Sequence, residues 1–163
     1  MEIKECKTEE QLQELAALAS HIWHEYFTSI ITLEQIDYMV EKYQSYDAIK
    51  QAIQEEHYTY FVAYEEGVMV AYCGVKPEEE RLFLSKLYVC KEKRGKHYST
   101  LLLQRAIALA KDLHKTAIYL TCNKYNQHSL DVYKGKGFVT IDAVQTDISH
   151  GFIMDDYILQ LDI

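Results

Sequence analysis

The sequence predicts one α/β domain (α+β by some schemes), with a mixed, mostly antiparallel sheet of about seven strands and flanking helices. Two observations predict it. The hydrophobic period changes along the chain, from helical spacing in the first third to short apolar or alternating runs afterwards. The later strand-like runs are then interrupted by helical segments at Ser99–Leu113 and Gln127–Lys134. With 163 residues, a single proline and no Gly/Ser-rich or repeated segment, the chain reads as a single domain over residues 1–163.

Taken in order, Met1–Cys6 alternates enough for a short strand. Thr8-Glu9-Glu10-Gln11 is a capping box, and Leu12, Leu15, Ala19, Ile22 and Trp23 follow it at helical spacing. Thr32-Leu33-Glu34-Gln35 is a second capping box, followed by Ile36, Met39, Val40 and Tyr43. A third short helix is predicted over Asp47–Glu55. Tyr58–Tyr64, the turn Glu65-Glu66-Gly67 and Val68–Val75 read as strand, turn and strand, and Arg81–Val89 as another strand. Ser99–Leu113 is a helix with Leu102, Leu103, Ala106, Ile107 and Ala110 on one face. Ala117–Cys122 is a buried strand, and Gln127–Lys134 a short helix closed by Gly135-Lys136-Gly137. Phe138–Ile148 and Phe152–Leu161 are final strands joined through His150-Gly151.

Composition narrows the function classes. Hydrophobic residues make up 48% and charged ones 26%, an ordinary soluble balance, and no apolar run approaches membrane-spanning length. Met1-Glu2-Ile3-Lys4 has no signal-peptide apolar core. Cys6, Cys73, Cys90 and Cys122 form no Cys-x-x-Cys pair, so they read as reduced core residues of a cytoplasmic protein. A net charge of -8 argues against nucleic acid as a partner and suits a cationic substrate.

Against that acidic background, Arg94-Gly95-Lys96-His97-Tyr98-Ser99 is a local cationic exception between a strand and a helix. Gly95 permits a tight turn, and the helix that follows points its amides and dipole at whatever anion binds. The stretch is neither a Walker loop nor a dinucleotide fingerprint, and taken alone it is as readily a solvated turn. In the second stretch, Asn126 to Phe138, Asn126 is a good N-cap. Ser129 and Tyr133, four residues apart, share a helix face. A phenol there is placed to donate a proton; an isolated tyrosine, one of 14, is more simply a packed one.

Together the two stretches resemble the GNAT superfamily of acyl-coenzyme A-dependent N-acetyltransferases. That family carries a Gln/Arg-x-x-Gly-x-Gly/Ala loop after its fourth strand and an Asn-x-x-Ala-x-x-Phe-Tyr-x-x-x-Gly-Phe segment after its fifth. Arg94 matches the loop's first position, His97 stands where the middle glycine is usual, and Ser99 where Gly or Ala is usual. Asn126, Tyr133, Gly137 and Phe138 match the second segment, with Ser129 for Ala and Val132 for Phe. The motif-bearing resemblance covers about Arg81–Phe138.

The resemblance implies that strands four and five splay apart and that acetyl-coenzyme A is the cosubstrate. Its pyrophosphate would lie on Arg94, Gly95, Lys96, His97, Tyr98 and Ser99. The backbone still cradles phosphate provided His97 takes an ordinary negative φ. The pantetheine arm would pair with backbone at Leu87, Tyr88 and Val89, like an added strand. Asn126 and Ser129 would contact the coenzyme. Tyr133 would protonate the leaving thiolate, after direct attack by an amine that has lost its proton to water or a carboxylate. Amides near Leu87 would stabilise the oxyanion. No metal is required.

By the same resemblance, the first helices wall the acceptor side, around Trp23, Tyr26, Phe27 and Tyr38. Aromatics with nearby acids suit a cationic amine, although Trp23 and Phe27, four apart, read more simply as core. His21 and His24 lack convincing further ligands for a metal. Glu78-Glu79-Glu80 reads as a solvated turn. Of Asp155 and Asp156, one is placed to face the cleft, but edge-protecting surface charge is the simpler role. The expected reaction is acetyl transfer to a primary amine, with a diamine, polyamine or amino-sugar preferred. The alternatives are a protein or peptide N-acetyltransferase and a non-catalytic acyl-coenzyme A-binding regulatory module. Strand edges near the C-terminus suggest a homodimer.

Overall fold

The computed structural model describes residues 2–163. Met1, where the opening strand was expected to start, lies outside the described residues. Strand β1 (Glu2–Glu5) leads into helix α1 (Glu9–Tyr26), whose capping box is closed both ways. Thr8 Oγ1 accepts from the Gln11 amide at 3.1 Å, and Gln11 Oε1 accepts from the Thr8 amide at 3.0 Å. Helix α2 (Leu33–Met39) forms only half of its expected box. Thr32 caps the Gln35 amide at 3.1 Å, but the Gln35 side chain turns away to lie 3.8 Å from Met154 Sδ. A wider π-type turn, Val40–Gln44, follows, which periodicity did not foresee. It puts Gln44 inside, where it accepts from the Tyr72 hydroxyl at 3.0 Å. Helix α3 (Tyr46–Glu55) is capped by Ser45.

The remaining elements are β2 (Thr59–Glu65), β3 (Val68–Pro77), β4 (Arg81–Val89), α4 (Tyr98–Asp112), β5 (Ala117–Asn123), α5 (Gln127–Gly135), β6 (Val139–Asp147) and β7 (Ile153–Asp162). They form a seven-stranded sheet in the order β1-β2-β3-β4-β5-β7-β6. All neighbours are antiparallel except β4 and β5. Strand β7 is thus inserted between β5 and β6, and β6 is the edge.

Two features of β4 set up the site. Its pairing with β5 runs only through Arg81–Ala117, Leu82–Ile118 and Phe83–Tyr119. Beyond that point the strands diverge into a V, while β4 stays paired to β3 as far as Val89–Ala71. The closed end is pinned by side chains. Phe83 stacks on Tyr119 at 4.9 Å, the Arg81 guanidinium lies 3.8 Å over the Tyr119 ring, and the Tyr119 hydroxyl donates to Glu78. So Glu78 is more than the solvated turn expected.

The second feature is a bulge. Val75 of β3 faces Leu84 but Gly74 faces Lys86, which leaves Ser85 as an extra residue. Straight alternation would put Lys86 on the same face as Leu82 and Leu84. The bulge reverses it, so Lys86 and Tyr88 share a face with Tyr60 and Tyr72. That face is covered by α1 and its neighbours, as Trp23 against Tyr88 shows. Phe61 and Cys73 face the other way, toward α4, whose Arg105 sits over the Phe61 ring. The main core lies in these two layers. A smaller cluster of Trp23, Phe27, Ile36, Met39 and Ile148 ties α1 and α2 to the β6–β7 turn. The four cysteines are buried free thiols.

Candidate functional site

The V between β4 and β5 opens into a cleft of about 910 Å³ that runs through the sheet. One mouth lies at the start of α4. The 3-10 turn Lys91–Lys93 and Gly95 bring the chain round, and Gly95 takes φ +81, which only glycine adopts freely. His97 also takes a left-handed conformation, φ +70. The negative φ expected of it is therefore not adopted. Its backbone follows the path a glycine would take, at the strain a β-carbon brings there. As N-cap of α4, His97 offers no side-chain bond to the helix amides, so the first turn is left open to an anion.

The basic side chains around this turn are held by acids. Arg94 donates to Glu25 at 2.8 Å and to the Val89 carbonyl at 3.1 Å, and its guanidinium lies 4.9 Å over the Tyr26 ring. Lys93 and Lys96 both pair with Glu65, whose carboxyl is lowered by hydrogen bonds to Lys93 and Tyr98. Of the residues expected at the anion loop, Arg94, Gly95, His97, Tyr98 and Ser99 line the cleft. Lys96 does not.

Across the V, Asn126 caps α5 by accepting from the Ser129 amide at 3.3 Å. Its side-chain oxygen also accepts from the Tyr26 hydroxyl at 2.7 Å, and Tyr26 lies 3.2 Å from Ser129 Oγ. Tyr26 therefore bridges α1 and α5 over the cleft. Tyr133, one turn further along α5, is partly covered and packs edge-on against Phe138 at 5.5 Å. Desolvation, with Cys122, Cys73 and Tyr26 adding to it, pushes its phenol well above the usual range, so it stays protonated at neutral pH. Cys122 beside it is pushed up to about 12 by burial and Asp156, so it is held as the protonated thiol at neutral pH.

The other mouth is aromatic. Trp23 stacks on Phe27 at 4.3 Å, and both meet Tyr88 edge-on, so they serve at once as core and as cleft wall. Tyr38 is not in the cleft. Its hydroxyl donates to the Ile148 carbonyl at 2.8 Å, and its ring packs on His150 and Phe152, where it holds the β6–β7 turn. His24 is engaged by the Ser20 carbonyl and, at 2.6 Å, by Asp37, which raises its pKa.

The acids of β7 overturn the edge-protection reading, because β7 is an interior strand. Asp155 pairs with Lys124 at 2.8 Å. Asp156, on the opposite face with Met154, lines the cleft at 7% exposure, and its Oδ1 has no hydrogen-bond partner among the described residues. Burial, then Asp155, push its carboxyl up to about 6. Sequence reasoning also missed Lys86, which lines the cleft at 8% exposure and donates to the Tyr60 hydroxyl at 2.7 Å. Its signal was present, as a lysine within the largely apolar run Leu82–Val89.

The model of the acetyltransferase (GNAT) family matches residues 16–138. No curated protein sequence matches the chain. Among solved structures, the PaiA N-acetyltransferase from Thermoplasma acidophilum in complex with coenzyme A is similar with a TM-score of 0.84 and 20% identity over 100% of both chains. A probable acetyltransferase from Staphylococcus epidermidis has a TM-score of 0.79 and 18% identity, covering 99% of this chain and 98% of that one. A ribosomal-protein-alanine N-acetyltransferase from Brucella melitensis has a TM-score of 0.70 and 18% identity over 100% of both. The two motif stretches, the V between β4 and β5 and the family match over residues 16–138 agree: this chain belongs to the GNAT acetyltransferase family.

Proposed function

We propose that the protein moves an acetyl group from acetyl-coenzyme A to a primary amine by direct attack in a ternary complex. The observation that carries this is the V. It leaves β4 backbone beyond Phe83 unpaired toward β5, with an uncapped helix start at one mouth and, lining the same cleft, a buried carboxylate and a partly covered phenol. The residues fit the coenzyme. Gly95 and the first turn of α4 receive phosphate, Leu87 to Val89 offer strand pairing to the pantetheine arm, and Asn126 and Ser129 flank it.

Asp156 takes one proton from the acceptor ammonium, so the neutral amine attacks the thioester carbon. A carbon–nitrogen bond forms as the carbon–sulfur bond breaks. Tyr133 gives its proton to the departing sulfur and is reprotonated at the expense of the second amine proton, so that one proton in all is released to water. The protonated Cys122 thiol favours direct transfer over an acylated enzyme.

Release of free thiol from acetyl-coenzyme A with a panel of amines tests the reading. Tyr133→Phe is expected to lower kcat by on the order of ten- to a thousand-fold, with coenzyme binding little changed. Binding without thiol release across the panel would favour a non-catalytic acyl-coenzyme A-binding module. A peptide acceptor is supported only by the likeness to the ribosomal-protein-alanine enzyme, so the panel includes peptides with free N-termini.

A further inference from the structure

Lys86 is an unusual group to find on the acceptor wall. Its ammonium is nearly buried and lies 5.0 Å from the Tyr58 ring and 5.2 Å from the Tyr60 ring. The Tyr60 hydroxyl is its hydrogen-bond partner, and no carboxylate among the described residues reaches it at ion-pair distance. Glu56 bears on it only from further off. Burial lowers its pKa to about 8, at which it is still mainly a cation at neutral pH. A buried cation without a counter-ion is costly, and the cleft is where one would arrive.

Asp156 presents the complementary feature, a buried carboxylate with an orphaned oxygen. The register places both charges on one face of the sheet, Lys86 with Phe83 and Tyr119, and Asp156 with Asn123. Lys86 and Tyr88 are two residues apart on β4, about 7 Å along a strand, and Asp156 and Tyr133 both bear electrostatically on Tyr88.

We propose that the acceptor is a primary amine that also carries a carboxylate, with the amine at Asp156 and the carboxylate at Lys86. The proposal rests on the acetyltransferase reading above and narrows it. It also replaces the diamine or polyamine expected from the sequence, whose second ammonium would meet Lys86 as a like charge. The bulge at Ser85 is the structural device, because without it Lys86 would face away from the acceptor wall.

The test uses the full chain with acetyl-coenzyme A. Thiol release is measured for ω-amino acids, their carboxamides, diamines of matched length and an amino-sugar. Calorimetric binding of the same amines is measured in the presence of coenzyme A. The expected result is that the amino acid exceeds its carboxamide in kcat/KM by ten-fold or more. Lys86→Met should bring that ratio close to one, and Lys86→Arg, which keeps the charge, should retain most of it and control for folding. Diamines or the amino-sugar outpacing the matched amino acids, or a ratio untouched by Lys86→Met in a folded protein, would overturn the proposal and leave acetyl transfer standing. If no amine releases thiol yet amino acids bind in a manner that depends on Lys86, the acetyltransferase reading fails while the bipolar ligand site is supported. Absence of both overturns both.

Discussion

Burial of Asp156 has two consequences that one substitution separates. Its folded pKa, pushed up to about 6, lies above the ordinary aspartate value of about 3.9 in an unfolded chain. The fold therefore disfavours the ionised form. Its contribution to stability is fully present below about pH 4 and is lost as pH rises through about 6. Asp156→Asn should then stabilise the protein by on the order of 1–3 kcal/mol at pH 8 relative to pH 3.5, read from denaturant midpoints at both values. Turnover should move the other way. The wild-type rate should rise with pH through about 6 and level off, and the variant should lose that limb along with a factor of roughly 10²–10⁴ in kcat. Full activity in the variant would assign the proton to water. His97 is the second residue with a local consequence. Its φ of +70 costs about 1 kcal/mol in a residue with a β-carbon, which His97→Gly relieves, offset in part by the freer unfolded chain. The expected outcome is a melting temperature unchanged or raised by roughly 1–3 °C, with coenzyme A affinity not weakened. A clear loss of affinity on titration would show that the imidazole itself holds phosphate. Residues of this kind were half legible. Tyr133, Asn126 and Arg94 stood in a spaced pattern, whereas Asp156 was misjudged because its role depends on β7 lying inside the sheet, which no local pattern encodes.

At the scale of elements, the legible features are those set by short-range chemistry. The capping box of α1, the bounds of β4 and the apolar face of α4 followed from spacing alone. The π-type turn after α2 and the bulge in β4 did not, because each is decided by a distant partner: Tyr72 for Gln44, and the β3 register for Ser85. Gly74 stands beside the bulge. Its missing side chain lets the Tyr60 ring cross β3, and an added β-carbon would stand 2.8 Å from Tyr60 Cε1. Tyr60 is fully buried and holds Lys86, so the ring has no easy way to yield. Gly74→Ala is expected to destabilise the protein by about 1–3 kcal/mol through overpacking. It should also weaken the discrimination that Lys86 provides. Gly74→Ala with Tyr60→Leu should recover part of the stability but not the discrimination. A Gly74→Ala protein as stable as the parent would mean that the Tyr60 ring is not fixed in this place.

At the scale of the whole molecule, the sheet consists of two halves joined by a short parallel seam. Strands β1 to β4 form one half and β5, β7 and β6 the other, and the seam ends at Phe83–Tyr119. The aromatic and ionic cluster around Arg81 and Tyr119 pins the closed end, and the Tyr26 bridge to Asn126 spans the open one. A ligand that lies in the V as an extra strand adds bonds where the halves share none. Coenzyme A at a hundred times its dissociation constant should therefore add about 2.7 kcal/mol by mass action alone. For a chain of this length that corresponds to a rise in melting temperature of roughly 5–10 °C. Hydrogen exchange locates the effect. Along the open stretch Leu84 to Val89 of β4, the amides that point into the V rather than to β3 should gain protection, together with those of the first turn of α4. Those of β1 and β6, at the two outer edges, should change little. Protection confined to the α4 turn would show that the coenzyme is held by its phosphates alone and that the V is not its seat.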